Sequence, residues 1–158
     1  MSAEIKNHVL SIIETIENGY KSEGLEYIDV DDLSGVALDW AVAVCENQFV
    51  VRDPMGFETG SESGYWIWDN SFGSNSTHQL IGREYSPSRN WAQAGPIMER
   101  HGIYPSSYYG CGENNPNKFQ AGSGLARSRG KTPLIAAMRA LIRSTFGDEI
   151  DVPGTLLS

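Results

Sequence analysis

Thr132-Pro-Leu-Ile-Ala-Ala-Met-Arg-Ala-Leu-Ile-Arg-Ser-Thr-Phe-Gly147 carries the start, the face and the stop of a helix in one run. Thr132 is an N-cap residue type, and Pro133 takes the first helical position, where its missing N–H is harmless. Leu134, Ile135, Met138, Leu141, Ile142 and Thr145 recur at the 3.6-residue period. Gly147 ends the run and Pro153 bars a continuation. A helix so well delimited must bury its stripe against a second layer.

Working outward, Ser34 precedes a second apolar helix over 35–46, with Leu38, Ala41, Val42 and Cys45 on its face and Trp40 and Val44 beside it. Ala37, Ala41 and Ala43 permit close packing. Gln48–Arg52 and Tyr65–Trp68 are β-branched or aromatic and predict strands, with Lys118–Ala121 as a third. Asn90 caps a segment over 90–101, which Gly95-Pro96 is expected to divide into a turn and a short helix from Pro96 to His101. Residues 53–64, 70–77 and 104–117, dense in turn-forming residues, predict loops. At the N-terminus, Ile5, Val9, Ile12, Ile13 and Ile16 form a helical stripe over 4–18 that Gly19 closes, followed by an acidic linker over 20–32. The expected class is α+β: a small antiparallel sheet flanked by helices, with an N-terminal helical extension. The expected organisation is a helix and linker over 1–32 and an α+β domain over 33–158.

Charge is segregated along the chain. The net charge is -8, yet residues 83–143 hold nine Lys/Arg and three acids. An overall acidic balance argues against general nucleic-acid binding. A basic island rich in Gly, Ser, Tyr and Trp suits a small anionic, aromatic ligand instead. No apolar run approaches the roughly 20 residues of a membrane span. Met1-Ser2-Ala3-Glu4 lacks the pattern of a signal peptide, and Cys45 and Cys111 are isolated, so a reduced cytoplasmic setting is expected.

Few motifs carry chemistry. Gly130-Lys131-Thr132 before a helix has the end of a P-loop, but Leu125 stands where the first Gly is required, so an ordinary capped helix is the better reading. Arg127, Arg129 and Lys131 just before the helix start could still attract a phosphate. Alternation in Tyr65-Trp-Ile-Trp68 puts Trp66 and Trp68 on one face and Tyr65 and Ile67 on the other, with one pair in the core. His8, His78 and His101 fall in no metal-ligand spacing, and no GxSxG is present. Cys45 reads as core, and Cys111, between two glycines, has no base assigned to it.

Three blocks carry a resemblance. Leu33-Ser-Gly-Val-Ala-Leu-Asp-Trp-Ala-Val-Ala-Val-Cys-Glu46, Tyr85-Ser-Pro-Ser-Arg-Asn-Trp-Ala-Gln-Ala-Gly-Pro-Ile-Met-Glu-Arg100 and Thr132-Pro-Leu-Ile-Ala-Ala-Met-Arg139 resemble the signature blocks of the NinX-like family of tailed phages and prophages. Gly147-Asp-Glu-Ile-Asp-Val-Pro153 is also similar. The resemblance implies a phage or prophage origin and a compact α+β domain. It brings no established catalytic residues.

The expected function is a phage-encoded binding protein that sequesters an anionic nucleotide immune signal, a cyclic dinucleotide or an ADP-ribose-type molecule, inside the infected bacterium. The expected phosphate set is Arg83, Arg89, Arg100, Arg127, Arg129 and Lys131, with Thr132 at the helix start. The expected stacking set is Trp66, Trp68, Tyr85 and Trp91. A homo-oligomer is expected, with the N-terminal helix as a contact, and neither a cofactor nor a metal is invoked. The alternatives are a hydrolase of such a nucleotide, using His78 or His101, and an inhibitor that binds a host protein.

Overall fold

A computed structural model describes residues 24–52, 64–69, 77–108 and 114–157. The helix expected over 4–18 lies outside them. The elements in order are β1 (Leu25–Asp29), a 3-10 turn (Val30–Asp32), α1 (Gly35–Cys45), β2 (Val50–Arg52), β3 (Tyr65–Asp69), β4 (Thr77–Leu80), α2 (Trp91–His101), β5 (Ser106–Ser107), β6 (Phe119–Ser123), β7 (Ala126–Gly130), α3 (Pro133–Phe146) and β8 (Glu149–Pro153). A second 3-10 turn, Gly154–Leu156, follows β8. The class is α+β, but the strands form three small antiparallel sheets where one was expected: β1-β8, β2-β3-β4 and β5-β6-β7.

Helix α3 is the centre of the domain. Thr132 caps it by accepting from the Ile135 N–H at 3.1 Å, and Pro133 opens it, as its sequence requires. Its burial is wider than one stripe, because Ala136 through Ile142 are all buried. The β5-β6-β7 sheet covers one side, and α1, α2 and the first 3-10 turn cover others. Fully burying one of its Leu, Ile or Met side chains contributes about 1.5–3 kcal/mol.

The sheet under α3 is lined with small residues. Ala121, Ser123, Ser128 and Gly130 are buried, while Arg127 and Arg129 alternate with them on the outer face. A Cβ added at Gly130 would stand 2.7 Å from the Ala136 backbone nitrogen. Gly130 is therefore a packing glycine, and the Gly-Lys-Thr sequence has a structural cause. The basic stretch before α3, for which the sequence predicted no strand, is strand β7. Its alternation is charged against small instead of polar against apolar, so the usual strand signal is missing.

Two arginines of α3 reach the outer edge of β7. Arg139, itself buried, donates from Nη1 to the Arg129 carbonyl at 2.8 Å and from Nε to the Leu33 carbonyl at 2.9 Å. Arg143 donates from Nη1 to the Arg127 carbonyl at 2.7 Å. It also faces Asp31 at 3.2 Å, Asp148 at 3.3 Å and Asp29 at 3.6 Å. The segment expected as an acidic linker is, from Leu25 on, a strand paired with β8 and a turn whose acids meet Arg143. β8 carries alternating Ile150 and Val152 on its buried side.

The second sequence block docks on the first through a buried carboxylate. Asp39, on α1, accepts from the Ser88 N–H at 2.9 Å. Burial pushes its carboxyl up to about 6, against the pull of Ser88 and the Arg89 guanidinium. Gln93 holds the same loop, accepting from the Ser86 N–H at 2.6 Å and donating to the Glu84 carbonyl. α2 then runs unbroken through Gly95-Pro96, contrary to the expected break. The proline ring is exposed, and the buried Ala94 and Ile97 anchor the helix on either side of it. Asn90 caps it through the Ala92 N–H at 3.0 Å, whereas Ser34 makes no side-chain cap on α1.

The β2-β3-β4 sheet follows the expected alternation. Tyr65 and Ile67 are core, and Trp40 of α1 meets Tyr65 edge to face at 6.4 Å. Trp66 is half-buried and Trp68 exposed.

Three measurements check these assignments. Gly130→Ala should lower the urea-unfolding free energy by about 1–3 kcal/mol, because backbone must move to admit the methyl group. Arg139→Met should cost about 2–4 kcal/mol by leaving the Leu33 and Arg129 carbonyls without their donors. The raised Asp39 pKa means that the folded state binds the proton more tightly than the unfolded state. Its carboxyl therefore costs nothing below pH about 4 and progressively more as pH rises through 6. Asp39→Asn keeps the acceptor and removes the charge. Its stability relative to the parent should rise by about 2–3 kcal/mol between pH 4 and 7, measured by urea unfolding across that range.

Candidate functional site

The alternation that buries small residues under α3 leaves the opposite face of β5-β6-β7 to solvent. Arg127 and Arg129 stand on that face, two residues apart on β7. The register sets Gly122 opposite Arg127 and Gln120 opposite Arg129, with Ser106 opposite Gln120. The Arg129 guanidinium lies 3.9 Å over the ring of Tyr108, a cation–π contact. Beside it runs an open groove of about 370 Å³, lined by Gly102, Tyr104 and Ser106 on one side and by Gln120–Gly122, Gly124 and Arg127 on the other.

Arg127 is held flat over the sheet. Its Nη1 donates to the carbonyls of Gly124 and Ala126 at 2.9 and 3.0 Å. A Cβ at Gly122 would collide with that nitrogen, so the glycine is what lets the guanidinium lie across β6. Neither Arg127 nor Arg129 meets a carboxylate among the described residues. Tyr104, 76% exposed, offers an aromatic face at the groove. The site thus combines two guanidiniums without counter-charges, two phenol rings and the polar side chains of Ser106 and Gln120. Such a surface can bind phosphates through bidentate contacts and rings through stacking.

The expected site residues do not all meet here. Arg127 and Arg129 share the face, and Lys131 is exposed just beyond the end of β7. The Thr132 hydroxyl is occupied by its cap. Arg83 is exposed in the turn after β4, and Arg89 folds back onto the Gly82 carbonyl. Arg100 pairs with Glu46, which also accepts from His101 Nε2 at 2.7 Å, joining the ends of α1 and α2. Tyr85 is buried, and burial raises its hydroxyl pKa, with Glu46 and Asp39 adding to the shift. Trp91 is 58% exposed at the start of α2. Trp68 packs its ring 3.8 Å from the ring of His78 across the β3–β4 pair. None of Arg83, Tyr85, Arg89, Trp91, Arg100, Trp66 and Trp68 lines the groove.

Sequence reasoning missed Tyr104, Ser106, Gln120 and Gly122. The spacing Tyr104-x-Ser106-x-Tyr108 is a strand alternation that a loop assignment concealed. Neither His78 nor His101 reaches the groove lining. Cys45 is buried, and burial pushes its thiol up to about 12, so it is not a thiolate at neutral pH. Cys111 and Tyr109 lie outside the described residues. Among the described residues, no three His, Cys, Asp or Glu side chains form a metal-sized cluster, and no helix is long and apolar enough to cross a membrane.

A search of curated proteins returns no match. A family model does match: the family described as Bacteriophage P22, NinX covers residues 29–145, from the end of β1 nearly to the end of α3. That span holds Asp39 with its Ser88 partner, the Glu46 pairing, the β5-β6-β7 sheet and both arginines of the central helix. On that match, the chain belongs to the bacteriophage P22 NinX family.

Proposed function

We propose that this chain is a small phage-encoded binding protein that holds an anionic nucleotide on the outer face of the β5-β6-β7 sheet. The observation that carries the reading is the Arg129–Tyr108 stack on the same face as the groove that Arg127 and Tyr104 line. Two residues along a strand place the two arginine Cα atoms roughly 6.6 Å apart. That spacing suits a ligand with two phosphates, which fits a cyclic dinucleotide or an ADP-ribose-type molecule. A cation pair with no carboxylate partner among the described residues, on a chain of net charge -8, also favours a compact anion over a long nucleic acid.

The ligand is bound and kept, not turned over. His78 stacks on Trp68 and His101 pairs with Glu46, so neither supplies an acid–base group at the groove. Sequestration of a nucleotide signal would serve a phage against host defence, and this is the role we assign. The groove is open on its outer side, and a second copy of the chain closing over it belongs to the same proposal.

A thermal-shift screen with cyclic dinucleotides, ADP-ribose and NAD tests it. At about 100 times Kd, the true ligand stabilises by about 2.7 kcal/mol and raises Tm by roughly 5–10 °C. Arg127→Gln and Arg129→Gln should each weaken binding about tenfold or more. Ligand released by heating should come back unchanged. A flat screen, or recovery of a cleaved product, rejects the proposal.

A further inference from the structure

Strand parity turns one backbone unit of β6 toward the groove with no hydrogen-bond partner among the described residues. The Tyr108 N–H donates to the Lys118 carbonyl at 2.7 Å, and Ser106 pairs with Gln120. Even-numbered residues of β6 therefore direct their N–H and C=O groups toward β5, and odd-numbered ones serve β7. β7 gives the same parity from its own side. The carbonyls of Arg127 and Arg129, opposite Gly122 and Gln120, face away from β6 and accept from Arg143 and Arg139.

The next even position is Gly122. β5 comprises only Ser106 and Ser107, and Tyr104, which the register would set opposite Gly122, makes no backbone hydrogen bond with it. Tyr104 and Gly122 both line the groove. Gly122 thus presents a donor and an acceptor side by side at the groove that Tyr104 and Arg127 also line.

We propose that Gly122 reads the hydrogen-bonding edge of a nucleobase. This rests on the nucleotide reading above and names how its ring is recognised. The Gly122 N–H donates to a ring nitrogen or carbonyl of the base, and the Gly122 carbonyl accepts from the neighbouring amino or imino hydrogen. A base edge with adjacent donor and acceptor takes the place of the one partner residue that β5 lacks. Tyr104 supplies the stacking surface and Arg127 the phosphate contact. A docked peptide strand would need several such positions in a row. β6 offers one, since Ser123 pairs toward β7 and Gly124, with φ +60°, starts the turn.

Amide hydrogen exchange by NMR on the full chain tests this, with AMP and N6,N6-dimethyl-AMP as probes. The dimethyl compound keeps the phosphate and ring but has no amino hydrogen to donate. In the free protein, the Gly122 amide should exchange at least tenfold faster than those of Ala121 and Ser123, which serve the β6–β7 ladder. Saturating AMP should slow Gly122 exchange about tenfold or more, and the dimethyl compound should bind about tenfold more weakly without protecting Gly122. Slow exchange at Gly122 in the free protein would overturn the inference by itself. AMP binding that Arg127→Gln weakens, with equal affinity for both probes and no Gly122 protection, would overturn the edge reading and leave the nucleotide reading standing. No binding by AMP or by any nucleotide of the thermal-shift screen removes both.

Discussion

Two guanidinium groups hold this domain in register. Arg139 and Arg143 project from one helix and take the outward-facing carbonyls of β7, groups that an edge strand otherwise leaves open. The same two side chains reach the Leu33 carbonyl and the acids Asp29, Asp31 and Asp148. They do the work of a further strand. The edge is satisfied without main-chain pairing, and the β1-β8 sheet is tied to the β5-β6-β7 sheet through α3. Arg139 is buried, and removing it leaves the buried Leu33 carbonyl and the part-buried Arg129 carbonyl without their donor.

Once the outward carbonyls of β7 are assigned to those arginines, the sheet has no freedom of register. Ser128 and Gly130 must face the helix, and Arg127 and Arg129 must face away. A slip by one residue would put two guanidiniums against α3 and expose the small residues. The same constraint fixes β6, placing Ala121 and Ser123 inside and Gly122 outside. The outer surface with its groove is therefore a by-product of how the helix packs. Its cations are held by the strand, so an anion bound there as proposed would meet charges already in position, at a lower ordering cost.

The three family blocks have separate structural duties. The first and second meet at Asp39 and Ser88, and again at Glu46 with Arg100 and His101. The third is the central helix with Arg139. Their tryptophans do not act alike, because Trp40 is core against Tyr65 while Trp91 is largely exposed. Several residues that look suited to bind anions, Arg100 and Arg89 among them, are spent inside this frame. The groove is built between the second and third blocks, from stretches expected as loop or short strand.

Local chemistry was enough to place α3, α1 and β3. Thr132-Pro133, Gly147 and the alternation of Tyr65-Trp-Ile-Trp68 each encode their conformation within a few residues, so the α+β class was legible. The basic island was legible as composition, and Arg127 and Arg129 could be named from it. What the chain alone did not reveal was β7 as a strand, α2 unbroken at Pro96, and Tyr104, Ser106, Gln120 and Gly122 as neighbours. β7 reads as a charged loop until a helix made narrow by Ala136, Ala137 and Ala140 lies on its small residues, and that contact joins positions distant from any local pattern. Sequence determined which residues could be helix, core or cation. Tertiary packing decided which cations stay exposed, because Arg139 meets a buried carbonyl and Arg100 a carboxylate and both serve the frame, whereas Arg127 and Arg129 stand on the solvent face of their sheet.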